Sequence, residues 1–139
     1  MVLLDTHVWV WSVEGDMRRV GRRTRRLLSV AESHDAIRVS PATLFEVAAL
    51  CTAGRLGLLR PIEQWISQAL EAPGVRVAEL SPAVAVDAGH IPRTALADPL
   101  DRLLVATARQ LDATFLTGDE RILVYAADSA GVRVQDARL

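Results

Sequence analysis

The sequence predicts an α/β fold, with a central parallel sheet covered by helices on both faces. Three observations predict it. Short apolar runs alternate with longer stretches whose apolar residues recur at helical spacing. The same helix start recurs, a capping residue followed by proline, at Ser40-Pro41, Ser81-Pro82 and Asp98-Pro99. Acidic residues fall where strands end or helices begin, at Asp5, Glu46, Asp101 and Asp119.

Each element can be justified in turn. Val2 to Asp5 reads as a short, fully buried strand, and Thr6 to Val13, with Trp9 and Trp11, starts a helix directly after it. Gly21 to Glu32 is helical, with Leu27, Leu28 and Ala31 on one side. Ala36 to Ser40 is the second strand. The helix opened by Ser40-Pro41 runs to Ala53, where Gly54 suits a C-cap. Pro61 to Glu71 carries Ile62, Trp65, Ile66 and Ala69 at helical spacing, and Pro73-Gly74 breaks it. Val75 to Leu80 is the third strand. The next two cap-plus-proline signals open helices reaching about His90 and Leu111. Ala113 to Thr117 is the fourth strand, Glu120 to Ala127 a helix, and Val132 to Gln135 a short last strand.

Strands alternating with helices imply parallel pairing. Right-handed crossovers then bring all strand carboxyl ends to one edge, which is where such sheets do their chemistry. Asp5 and Asp119 follow strand ends at that edge. Glu46 and Asp101 lie in the early turns of helices that start there. With no repeat or linker, residues 1–139 read as a single domain.

Half of the residues are hydrophobic and 24% are charged, a balance that excludes disorder and supports a real core. No apolar run approaches the ~20 residues of a membrane span, and no export-signal pattern opens the chain. Cys51, the single cysteine, cannot form an internal disulfide, which fits a reducing compartment, and the expected location is cytoplasmic. A net charge of −1 announces no global field for nucleic acid. All 16 basic residues are arginine, and Arg18, Arg19, Arg22, Arg23, Arg25 and Arg26 cluster as either a solvated helix face or a phosphate-contacting stripe.

Each acid taken alone has a local explanation. Asp98 and Asp101 could cap a helix, Asp119 could cap the last one, and Asp5 could satisfy a turn. Glu46 resists this, because it lies too far from Pro41 to cap and shares a face with Ala42, Ala49 and Leu50. It is therefore expected to be buried, and a buried carboxylate near three others calls for a cation. Hard oxygen ligands suit Mg²⁺ or Mn²⁺. Zinc suits them less, since no cysteine pair or paired histidines stand near the acids.

Four stretches carry a family resemblance. They are Asp5-Thr6-His7 after an apolar strand, Ser40 with Glu46 in an apolar helix, Asp98-Pro99-Leu100-Asp101-Arg102 before Leu103 to Ala108, and Thr117-Gly118-Asp119. In order and spacing they resemble the motifs of PIN-domain nucleases over nearly the whole chain. The Gly54-Arg55-Leu56-Gly57 stretch is similar to VapC toxins of bacterial toxin–antitoxin pairs. The resemblance implies a three-layer α/β/α, PIN-like sandwich. It implies a Mg²⁺- or Mn²⁺-dependent endoribonuclease, a homodimer, and inhibition by a small cognate antitoxin. By the motif match, Asp5, Glu46, Asp101 and Asp119 would be the catalytic, metal-holding quartet. Thr6, Ser40 and Thr117 would supply supporting hydroxyls, and Asp98 would aid a metal-bound water or only cap its helix. His7, the nearest candidate base, is expected instead to pack or hydrogen-bond, and Arg102 to pair with a carboxylate rather than meet substrate. Trp9, Trp11 and Trp65 could stack on bases, but are expected to fill the core, dimer contacts or a partner groove.

Other classes remain in view. A DNA-directed or structure-specific nuclease could use the same acids. A non-catalytic interaction module would not need them. A phospho-acceptor receiver would want an acidic pair and a lysine, and the chain has no lysine. An aspartate-based phosphatase would want a second aspartate two residues after Asp5, where His7 stands.

Overall fold

A computed structural model describes residues 1–128 and 131–139. In chain order its elements are β1 (Val2–Leu4), α1 (Thr6–Glu14), α2 (Arg22–Ser33), β2 (Ile37–Val39), α3 (Pro41–Thr52) and α4 (Ile62–Leu70). There follow β3 (Val75–Val77), α5 (Pro82–His90), α6 (Pro99–Leu111), β4 (Thr114–Thr117), α7 (Glu120–Asp128) and β5 (Arg133–Asp136). A 3-10 turn at Met17–Arg19, which no sequence signal marks, precedes α2.

The five strands lie in the order β3-β2-β1-β4-β5, and every neighbouring pair is parallel. From the central β1 the chain winds out through β2 and β3, then crosses to β4 and β5 on the other side. The crevice of this doubly wound arrangement opens between the carboxyl ends of β1 and β4. Asp5 follows one of those ends and Gly118-Asp119 the other.

Alternation along the strands divides the core into two layers. Val2 and Leu4 pack with Val8, Trp9, Leu28, Ala31, Val47 and Trp65. Leu3 and Phe115 face the opposite way, onto Leu104, Val105, Ala108 and Ile122. This is the three-layer α/β/α sandwich. Trp9 and Trp65 meet edge to face at 5.0 Å in the first layer, which makes them core residues rather than stacking platforms. Helix α5 packs on α6 through Val84, Ala88 and Ala106.

The proline-marked helices begin where their caps predict. Ser40 Oγ accepts from the Ala42 N–H at 3.0 Å, Ser81 Oγ from Val84 at 3.2 Å, and Asp98 Oδ1 from Leu100 at 2.9 Å. The third strand departs from expectation, ending at Val77 rather than Leu80. Its partner among the described residues, β2, stops at Val39 because Ser40 already caps α3, so one last bond from the Ala78 N–H to the Val39 carbonyl (2.8 Å) closes the ladder.

Beyond β5 the chain is pinned to the start of α2. Gly21 donates to the Ala137 carbonyl at 2.8 Å, and Thr24 donates its N–H (2.9 Å) and hydroxyl (3.0 Å) to the Leu139 carbonyl. Arg22, Arg23, Arg25 and Arg26 beside this contact all face solvent. Among the described residues no helix is long and apolar enough to cross a membrane.

Candidate functional site

Asp5 sits where β1 hands over to α1. Its N–H still donates to the Leu116 carbonyl of β4 at 3.0 Å, which places it beside the end of that strand. Its carboxylate is held at both oxygens. Oδ1 accepts the Thr6 N–H at 2.8 Å, and Oδ2 accepts the Thr117 hydroxyl at 2.5 Å. Thr117 Oγ1 in turn accepts the Asp119 N–H at 3.0 Å, so one buried hydroxyl ties together the chain ends that carry two of the acids. His7 takes the hydrogen-bonding role expected of it. Its Nε2 accepts from the Gly118 N–H at 3.0 Å, which leaves the proton of the neutral ring on Nδ1, 3.7 Å from Asp5 Oδ2. Asp5 is only 4% exposed. Burial raises its pKa above the ordinary carboxylate value, against the pull of His7, Thr117 and Thr6, and Asp119 adds to the rise.

Asp98 and Asp101 open α6. Asp98 is its N-cap, and no other hydrogen bond of its side chain is found among the described residues. Asp101, two residues into the helix, does not complete a capping box. It is 6% exposed, and its Oδ2 is buried with no hydrogen-bond partner. Burial, then the negative charges of Asp98, Asp5 and Asp119, push its pKa from 3.8 up to about 7, opposed by Arg121.

Asp119 follows β4 and is partly exposed. Burial raises its pKa, but the hydrogen bonds of Arg121 outweigh this and leave it below the ordinary value. The Arg121 N–H reaches Oδ1 at 2.9 Å, Nε reaches Oδ1 at 3.3 Å and Nη2 reaches Oδ2 at 3.1 Å. Sequence reasoning missed Arg121. The one available signal was an arginine two residues after an acid at a helix start, a common pattern with many meanings.

Glu46 corrects an expectation, because it is half-buried rather than buried. The core-facing residues of α3 are Ala42, Thr43 and Val47. The face expected to be buried with Glu46 includes an exposed Ala49, and neighbouring Phe45 is 64% exposed. Burial raises the pKa of Glu46, the Thr6 hydroxyl lowers it, and Asp5 and Asp98 raise it. Thr6 Oγ1 is itself buried without a hydrogen bond of normal geometry. Ser40 is buried and spends its hydroxyl on capping α3, not on a carboxylate. Arg102 forms no ion pair among the described residues. It donates to the Ala97 carbonyl at 3.5 Å, and its Nε is buried without a partner.

The fold therefore gathers Asp5, Glu46, Asp98, Asp101 and Asp119 into one mutually repelling neighbourhood at the switch point. Among the described residues, no three of these side chains already stand together at metal-ligand spacing. Asp119 is turned to Arg121 and Asp98 to its cap. The donor set nevertheless fits a hard divalent cation. It consists of carboxylate oxygens, it includes a buried oxygen with no partner, and its charge is largely uncompensated.

The fold and this mouth define a class, a doubly wound parallel sheet with carboxylates converging beyond its central strands. The PIN domain family matches residues 2–128, and the chain belongs to it. It is 34% identical over 122 residues to Ribonuclease VapC22 of Mycobacterium tuberculosis (strain ATCC 25618 / H37Rv), a match covering 87% of this chain and 88% of that one. Among solved structures it resembles the DNA-bound VapBC of Salmonella typhimurium, with a TM-score of 0.65, 19% identity, and 97% and 96% of the two chains covered. It also resembles VapBC2 of Rickettsia felis bound to a promoter fragment, with a TM-score of 0.67, 15% identity, and 97% and 98% covered. At these identities the structural likeness speaks for the fold alone.

Proposed function

We propose that the chain is an endoribonuclease, the toxin of a toxin–antitoxin pair, and that it hydrolyses RNA phosphodiester bonds at the mouth formed by Asp5, Glu46, Asp101 and Asp119. The observation that carries this reading is Asp101, whose buried Oδ2 has no partner and whose pKa stands at about 7. A structural acid would have been given a donor or an exposed position. The 34% identity to a relative named as a ribonuclease supports the same reading.

In this reading Asp5 and Asp101, joined by Asp119, would hold Mg²⁺ or Mn²⁺, with Glu46 completing the site from the rim. Such a cation, when bound, acidifies water and offsets charge developing on the phosphate. The remaining work belongs to the chain. The Thr6 N–H and the Thr117 hydroxyl clamp both oxygens of Asp5, which fixes its carboxylate plane. Thr117 also sets the Asp119 backbone, and the His7 Nδ1–H faces Asp5 Oδ2. Asp98 holds the start of α6 and so positions Asp101. The proposed partners are an RNA substrate, a small cognate antitoxin and a second copy of the chain, and the proposed location is the cytoplasm.

The test is sequencing of RNA ends produced by the purified protein with Mg²⁺, with Asp5→Asn alongside. The expected products carry 3′-hydroxyl and 5′-phosphate ends and are missing with the variant. Equal cleavage by both proteins would refute the assignment.

A further inference from the structure

Arg121 is the arginine whose charge both Asp101 and Asp119 feel. Its guanidinium lies across both oxygens of Asp119, at 3.3 and 3.1 Å, while its own N–H is capped by the same carboxylate at 2.9 Å. The side chain is 72% exposed, so leaving this position would uncover no core and return the guanidinium to water. An exposed ion pair of this kind is weak. It is also local, closed by two residues of one turn, and therefore quick to form again.

We propose that Arg121 is a built-in counter-cation, which latches Asp119 while the divalent site is empty and must be displaced for the metal to gain Asp119. This rests on the metal reading above. It accounts for an otherwise awkward fact. The acids crowd closely enough to repel one another, yet no three of them, among the described residues, stand at ligand spacing. Asp119 is the member turned aside, and the group that turns it carries the charge the cluster lacks. A singly charged guanidinium on one carboxylate then gives way to a doubly charged ion shared by several.

Arg138 supplies an internal control. It makes the same kind of exposed fork, to Asp136 at 2.9 and 2.8 Å, and reaches Glu120 at 3.0 Å, with no hydrogen bond or ion pair to the acids of the mouth among the described residues. Titration calorimetry with Mn²⁺ would compare wild type, Arg121→Gln and Arg138→Gln in one buffer. The latch predicts that Arg121→Gln binds Mn²⁺ about two- to fivefold more tightly, the span that an exposed pair can supply. Arg138→Gln should match wild type. In EDTA, Arg121→Gln should also melt below wild type, and the deficit should close as Mn²⁺ is added. Unchanged or weaker Mn²⁺ binding by Arg121→Gln would overturn the latch and leave the metal site standing. An equal gain in Arg138→Gln would overturn it too, because a general field would then suffice. No Mn²⁺ binding by wild type or Arg121→Gln would overturn the metal reading and the latch with it.

Discussion

Replacing Asp101 by asparagine removes a charge that the cation-free fold holds at a cost. The carboxyl is 6% exposed, and burial together with Asp98, Asp5 and Asp119 moves its pKa from 3.8 to about 7. The native state thus binds this proton more tightly than the unfolded chain does. Stability from this group is fully present below the unfolded value and drains away as pH rises through the folded one. At ~1.36 kcal/mol per pH unit, the rise from 3.8 to about 7 corresponds to roughly 4 kcal/mol in all, of which about 2 kcal/mol is lost between about pH 5.5 and about pH 8. Asp101→Asn lacks the titration, so its stability relative to wild type should improve by about 2 kcal/mol over that interval. Any fixed cost of burying the amide drops out of the comparison. Asp5, which is raised in the same direction, titrates in both proteins and cancels to first order. The assay is urea unfolding of both proteins in EDTA across the interval. A difference in stability that stays flat with pH, or that moves in favour of wild type as pH rises, would refute the argument that Asp101 is a desolvated, repelled carboxylate.

Three further outcomes follow from the same geometry. Thr117→Val removes the donor to Asp5 Oδ2 and the acceptor for the Asp119 N–H, so it should cost about 1–3 kcal/mol in chemical denaturation and depress RNA cleavage; full stability would mean the hydroxyl is dispensable. Gly21→Ala would place a Cβ 2.0 Å from the Leu139 backbone, so the denaturation midpoint should fall by the equivalent of about 1–3 kcal/mol, and an unchanged midpoint would show that the final segment does not dock there. Mn²⁺ should raise the melting temperature of wild type by binding linkage, about 2.7 kcal/mol at a hundred times its dissociation constant, and should do so far less for Asp5→Asn; equal shifts in the two proteins would count against Asp5 as a ligand.

The parts of this architecture that were legible in the sequence are those written locally. Ser40-Pro41, Ser81-Pro82 and Asp98-Pro99 each combine a side-chain acceptor with a residue that has no N–H to satisfy, and all three helices start there. The period-two split of Val2 and Leu4 from Leu3 likewise marks a strand buried on both faces. What stayed hidden depends on partners far away in the chain. The early end of β3 is set by where β2 stops, thirty-odd residues upstream. The half-exposure of Glu46 is set by how α3 turns against the sheet, which its nearly uniform apolarity leaves undetermined. The docking of Gly21 under the chain beyond β5 joins opposite ends of the sequence.

The acidic mouth shows why local and distant information must be read together. A capping reading explains Asp98 fully and Asp119 in part, since each accepts the N–H two residues on. It fails for Asp101, which sits in a helical first turn that favours a negative charge, yet leaves one oxygen buried without a donor. The dipole contributes at most ~1–2 kcal/mol, whereas the rise to about 7 corresponds to roughly twice that in the other direction, so the helix start does not offset the cost of an acid there. Each buried Leu, Val or Phe of the two core layers stabilises the fold by roughly 1.5–3 kcal/mol, enough to tolerate such a site. A fold that carries this cost at its switch point sets an exposed guanidinium against only one of the acids, so much of the negative charge gathered there has no cation of the chain beside it.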